Sequence, residues 1–164
     1  MSEQKQEPPR GFITTKEYRR FAEFCDSCRR YGYIGLCYGP PGVGKTLSAR
    51  HYAQWDAWER LGNDSFVDRW TPPQEEVLAC QTLLYTPSVV STPKTIDKDL
   101  RMLEANLRYL QANALTKDGE RSMDAWTKAP DATLIILDES DRLKMAGLEL
   151  VRDFYDRRQL GLVL

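Results

Sequence analysis

The feature that most constrains this 164-residue chain is Gly39-Pro40-Pro41-Gly42-Val43-Gly44-Lys45-Thr46, a glycine-rich turn set between an apolar run and a helix-forming segment. The run before it, Tyr33-Ile34-Gly35-Leu36-Cys37-Tyr38, stops abruptly at glycine and proline, as a buried parallel strand does. The segment after it, from Lys45 through Ala49, Tyr52 and Trp55 toward Arg60, reads as a helix ended by Leu61-Gly62-Asn63-Asp64. In that setting the pattern GxxxxGK[ST] is a phosphate-binding loop. Gly39, Gly42 and Gly44 let successive backbone N–H groups converge on phosphate oxygens at the positive end of the helix. Pro40, Pro41, Val43 and Leu47 complete the binding segment. Lys45 supplies a point charge for the β- and γ-phosphates, and the Thr46 hydroxyl coordinates the Mg2+ that bridges them.

A second element is Thr133-Leu134-Ile135-Ile136-Leu137, the most apolar run in the chain, followed at once by Asp138-Glu139. Open α/β sheets take ligands at the carboxyl ends of their strands, which is where these two acids fall. Asp138 is expected to hold magnesium through water. Glu139, one residue on, points differently and suits polarising an attacking water, which makes the arrangement hydrolytic.

The rest of the chain supplies a frame for these elements. Residues 1–13 form a polar, disordered lead, and Thr14 with Glu17 offers a capping box for a helix to about Tyr31. Tyr18, Phe21, Phe24, Cys25 and Cys28 make one apolar stripe along it, so the Cys25/Cys28 pair reads as packing rather than as a redox dithiol. With a single histidine and no second CxxC, a zinc site is not expected. Residues 63–79 read as a connection, Thr82-Leu83-Leu84-Tyr85 as a strand, and Thr92-Pro93 as the opening of a helix over Ile96 to about Leu115. A polar stretch from Thr116 to Asp131 precedes the acidic strand. The last helix covers about Leu148 to Arg158, and Leu160-Gly161-Leu162-Val163-Leu164 begins another apolar run. Alternating strands and helices give an α/β class with a parallel sheet flanked by helices, in one domain over 14–164. The apolar ending reads as a cut inside a central strand, with marginal stability and exposed sheet edges as the expected cost.

Charge narrows the partners. Lys plus Arg is 23 and Asp plus Glu 24, a net charge of −1, which removes the strongly basic signature of many nucleic-acid binders. No run approaches the roughly 20 apolar residues of a membrane span, and a cytoplasmic chain is expected. Weaker candidates each have a plain structural alternative. Thr86 and Ser88 could orient Glu139 or serve the turn after their strand. His51 reads as structural. Trp55, Trp58, Trp70 and Trp126 could stack on bases, but packing is the stronger reading. Arg19, Arg20, Arg29 and Arg30 could meet phosphates, or form a solvated helix face.

The loop followed by Leu134-to-Glu139 resembles the AAA+ branch of P-loop ATPases. More narrowly, Cys37-to-Ala49 and Asp138-Glu139-Ser140-Asp141-Arg142-Leu143-Lys144 are similar to the transposition ATPases of the phage Mu protein B, TniB and TnsC type. That resemblance implies an ATP-loaded protein that assembles on duplex DNA as a ring or filament, presents the DNA to a transposase, and disassembles on hydrolysis. It implies Lys45 and Thr46 on phosphates and metal, Asp138 on Mg2+, and Glu139 as catalytic base. Phe12 and Ile13 would be base neighbours by the same analogy. The sensor residue, arginine finger and lid of that family have no counterpart before Leu164, so the 164-residue chain is expected to hydrolyse ATP slowly or not at all. Two other functions fit the same residues: a nucleotide-dependent protein-interaction switch and a helicase-loader-type ATPase.

Overall fold

A computed structural model describes residues 11–56, 74–115 and 123–164. The first helix, α1 (Lys16–Tyr31), begins one residue later than the sequence suggests, because Thr15 rather than Thr14 is the cap: its Oγ1 accepts from the Tyr18 amide at 3.1 Å. Glu17 is therefore free to pair with Arg20 at 3.2 Å instead of closing a capping box. Strand β1 (Ile34–Gly35) is shorter than the apolar run around it, although the Leu162 amide still donates to the Tyr33 carbonyl and the Cys37 amide to that of Leu164. Helix α2 (Lys45–Tyr52) ends well before Arg60, since Gln54 takes a left-handed φ of 49° and breaks the turn.

The segment read as pure connection carries helix α3 (Gln74–Ala79), whose Val77 is buried in the core. Strand β2 (Thr82–Tyr85) leads to helix α4 (Pro93–Leu115). Pro93 occupies the first helical position, where its missing N–H costs nothing, and Thr92 Oγ1 accepts from the Thr95 amide at 3.2 Å. The stretch taken as polar linker contains helix α5 (Met123–Lys128), with Ala125 and, just beyond its end, Ala129 buried near Ala112 of α4. Strand β3 (Leu134–Leu137), a 3-10 turn (Ser140–Arg142), helix α6 (Met145–Arg158) and strand β4 (Gly161–Val163) complete the described chain, α6 starting three residues before Leu148.

The four strands pair in the order β1-β4-β3-β2, all parallel, so the terminal apolar run is an interior strand as expected. Side chains alternate across the sheet as a two-residue period demands. Leu134 and Ile136 join Cys25, Cys28 and Ala49 on the α1/α2 face, while Ile135 and Leu137 join Ile96, Leu100, Val151 and Phe154 on the α4/α6 face. Both cysteines of the pair are thus core residues of α1, and all four cysteines are free.

Close approach of α1 to β4 depends on Gly161, where a Cβ would lie 2.5 Å from the Cys28 carbonyl oxygen and 2.8 Å from the Arg29 nitrogen. Backbone atoms cannot rotate away, so Gly161→Val should cost at least the ~1–3 kcal/mol typical of overpacked cores. Urea unfolding measures this; an unchanged midpoint would contradict the packing of α1 on β4.

Burial also makes stability depend on pH. It pushes the thiols of Cys25, Cys28 and Cys80 up from their ordinary 9.0. The folded state therefore holds protons that the unfolded chain has released above pH 9. This contribution is fully present below that pH and is lost as pH rises further. Urea midpoints should fall between pH 8 and pH 10, and Cys25→Ala should flatten that slope; a slope unchanged by Cys25→Ala would remove the thiol as its cause.

Candidate functional site

Both motifs sit at the carboxyl ends of their strands, β1 and β3, with the end of β4 between them. A cavity of ≈ 890 Å3 joins them, lined in the loop by Gly39, Pro41, Gly42 and Gly44 to Leu47, and beyond it by Asp138, Glu139, Val163 and Leu164. The size is within the range of small-molecule sites.

Local conformation in the loop follows from its glycines. Gly42 and Gly44 adopt φ values of 82° and 88°, which an L side chain rarely takes, and Gly44 is the cap that starts α2. Among the described residues nothing lies within 4 Å of a Cβ placed at either, so the backbone is open for close approach by a ligand. Lys45 Nζ donates to the Gly39 carbonyl at 2.8 Å and the Pro40 carbonyl at 3.1 Å, so the ammonium lies against the loop it would share with phosphate. No acidic residue stands in the first turn of α2 to compete for its positive end.

Across the cavity, the Asp138 amide continues the β2–β3 ladder by donating to the Tyr85 carbonyl at 2.9 Å. Its Oδ1 accepts from the Glu139 amide at 3.1 Å, and Glu139 turns into the left-handed region at φ 54°. Among the described residues no group of three or more His, Cys, Asp or Glu side chains forms a protein-only cation site. A magnesium ion needs none, because it keeps several waters and takes one or two protein oxygens beside phosphate. Thr46 and Asp138, which line the same cavity, fit that demand. Cys37 also lines the cavity; burial pushes its thiol up, while nearby Lys45 opposes the rise and Asp138 adds to it.

Residues 28–164 match the family described as the AAA domain. The chain belongs to that family. It is similar to a Staphylococcus aureus protein described as a potential ATP-binding protein, 39% identical over 158 residues, which take in 93% of this chain and 57% of that protein. It is also similar to the ATP-dependent target DNA activator B of Escherichia phage Mu and of Escherichia phage D108, each 29% identical over 165 residues, covering 96% of this chain and 42% of the relative. The chain therefore spans about half the length of the curated relatives it matches. As expected from its sequence, this AAA domain has an α/β fold with a parallel sheet flanked by helices.

The weaker sequence candidates have these surroundings. Ser88 meets Ser91, hydroxyl to hydroxyl at 3.0 Å. Thr86 lines a second cavity of ≈ 500 Å3 between α2, β2 and α4, where the Tyr85 hydroxyl donates to Asp99 at 3.2 Å. The ring of His51 stacks on Phe12 with centroids 3.6 Å apart, while Ile13 is exposed. Arg20 and Arg29 pair with Glu17 and Asp26 on the solvated face of α1. Trp55 packs against the core, and Trp126 lies beneath the Arg108 guanidinium. Trp58 and Trp70 lie outside the described residues, as do residues 1–10 of the lead. No helix among the described residues is long and apolar enough to cross a membrane.

Sequence reasoning missed Arg142. Its guanidinium pairs with the Glu139 carboxylate and donates from Nη1 to the Pro87 carbonyl at 3.3 Å. The signal was present in Glu139-Ser140-Asp141-Arg142, an acid and a base three residues apart across one tight turn.

Proposed function

We propose that this AAA domain binds ATP with Mg2+, hydrolyses it, and in the ATP-bound state assembles on duplex DNA to recruit or activate a transposase. The observation that carries the nucleotide part is the cavity shared by Lys45, Thr46, Asp138 and Glu139. The DNA part rests on similarity to the phage proteins named as ATP-dependent target DNA activators.

In this reading the loop amides and Lys45 hold the β- and γ-phosphates, and the open space beside Gly42 and Gly44 admits them closely. Thr46 and Asp138 hold magnesium, which supplies charge neutralisation across the phosphates when bound. Glu139 accepts a proton from the attacking water as the bond between the γ-phosphorus and its bridging oxygen breaks. The products are ADP and inorganic phosphate.

Sedimentation of the protein with duplex DNA, in a non-hydrolysable ATP analogue, in ADP and without nucleotide, tests the assembly. Large DNA-bound species are expected only with the analogue, and none with Lys45→Ala. Nucleotide binding without any co-sedimentation of DNA would overturn the DNA role and leave a nucleotide-dependent protein switch.

A further inference from the structure

Glu139 is the residue whose freedom matters most to hydrolysis, and its surroundings are not neutral. A carboxylate engaged by a guanidinium has fewer lone pairs to offer a water molecule. Here the guanidinium belongs to Arg142, one 3-10 turn further on. The Arg142 amide donates to the Glu139 carbonyl at 3.1 Å, so backbone and side chain both close the turn. The same guanidinium reaches across to the Pro87 carbonyl at 3.3 Å, and Pro87 is fully buried just past the end of β2. The arginine is thereby tied to a fixed point beside a neighbouring strand. Glu139 meanwhile sits in the left-handed region, which a non-glycine residue occupies only when its neighbours hold it there.

From these contacts we infer that Arg142 is a positioning residue that holds Glu139 in a resting pair, anchored on Pro87, which must open before Glu139 can take the proton from water. The inference rests on Glu139 being the base. An ordinary surface ion pair is the plainer description, and the side chains are 36% and 45% exposed. Such pairs contribute little to stability. That low strength suits a contact that opens in each cycle, and it separates the two descriptions: a decorative pair changes neither melting nor turnover, whereas a resting pair changes turnover alone.

Single-turnover hydrolysis with protein in excess over ATP reads the difference. Arg142→Gln is expected to speed the chemical step about fivefold, the rate equivalent of ~1 kcal/mol, with the ATP dissociation constant unchanged. Arg142→Lys keeps the charge without the planar fork and should fall between wild type and Arg142→Gln. In a Glu139→Gln background the substitution should have no effect on rate, because the group it restrains is gone. An unchanged or slower rate in Arg142→Gln would overturn the inference. So would an equal acceleration in the Glu139→Gln background. A second readout needs no hydrolysis: the Arg142 Nη2–H signal in nitrogen-detected or proton–nitrogen NMR should be protected from solvent exchange in the nucleotide-free protein and lose that protection in Glu139→Ala, which removes the acceptor. Unaltered protection there would show the pair is not formed and overturn the inference alone. A protected pair together with no hydrolysis by any variant would instead overturn the hydrolase reading, and the positioning role with it.

Discussion

Glu139→Gln should slow single-turnover ATP hydrolysis by about 10²- to 10⁴-fold while leaving ATP bound as tightly as before, the range by which a positioned general base accelerates such steps. The substitution is nearly isosteric and keeps the hydrogen-bonding outline of the side chain, so the turn at residues 139–142 has no steric reason to rearrange. What it removes is the site that receives the proton. Because the proposed magnesium ligands are Thr46 and Asp138, magnesium affinity should be preserved. A loss of binding that parallels the loss of rate would show instead that Glu139 holds nucleotide or metal, and would dissolve the division of labour between the two acids.

Lys45→Ala should raise the ATP dissociation constant by about 10²-fold, equivalent to ~2.7 kcal/mol, as expected for losing charge-assisted bonds to phosphate. Its Nζ donates to the loop carbonyls of Gly39 and Pro40, contacts within one turn on which the sheet does not depend. Calorimetric titration with ATP, paired with a melting curve, separates the two effects. Weak binding with an unchanged melting temperature is the expected result. A large fall in melting temperature would make the lysine a strut of the loop, and an unchanged affinity would remove the phosphates from this end of the cavity.

The parts of this site that were legible in the sequence are those where chemistry imposes spacing. A loop that wraps phosphate needs glycine at fixed positions before Lys45, and a metal-holding acid must stand at a strand end, so residue order alone is enough to place both motifs. The alternation of strands and helices pointed to the parallel sheet, and the apolar ending at Leu160 to Leu164 marked an interior strand, because a strand buried on both faces reads as a continuous apolar run. Less was legible where tertiary packing decides. Helix α5 is short and shows its neighbours mainly small side chains, Ala125 among them, so no apolar stripe announced it. Helix α3 was hidden by the same brevity, its claim on the core resting on Val77. The end of α2 at Tyr52 depends on a left-handed Gln54 that composition does not require. Arg142 was overlooked because one of its partners is distant in sequence: charge spacing suggests an ion pair with Glu139, and only the fold brings the Pro87 carbonyl to the same guanidinium.

The central claim is that the cavity between β1 and β3 reads the phosphate chain of a nucleotide through the loop and its lysine. The most direct test is the affinity of the wild-type chain for ATP, ADP and AMP, each with and without Mg2+, by calorimetry. ATP and ADP should bind at least about 100-fold more tightly than AMP, whose single phosphate cannot span the loop amides and Lys45, and magnesium should strengthen ATP most because Thr46 and Asp138 then share it. Equal affinity for all three nucleotides, or none for any, would contradict the account.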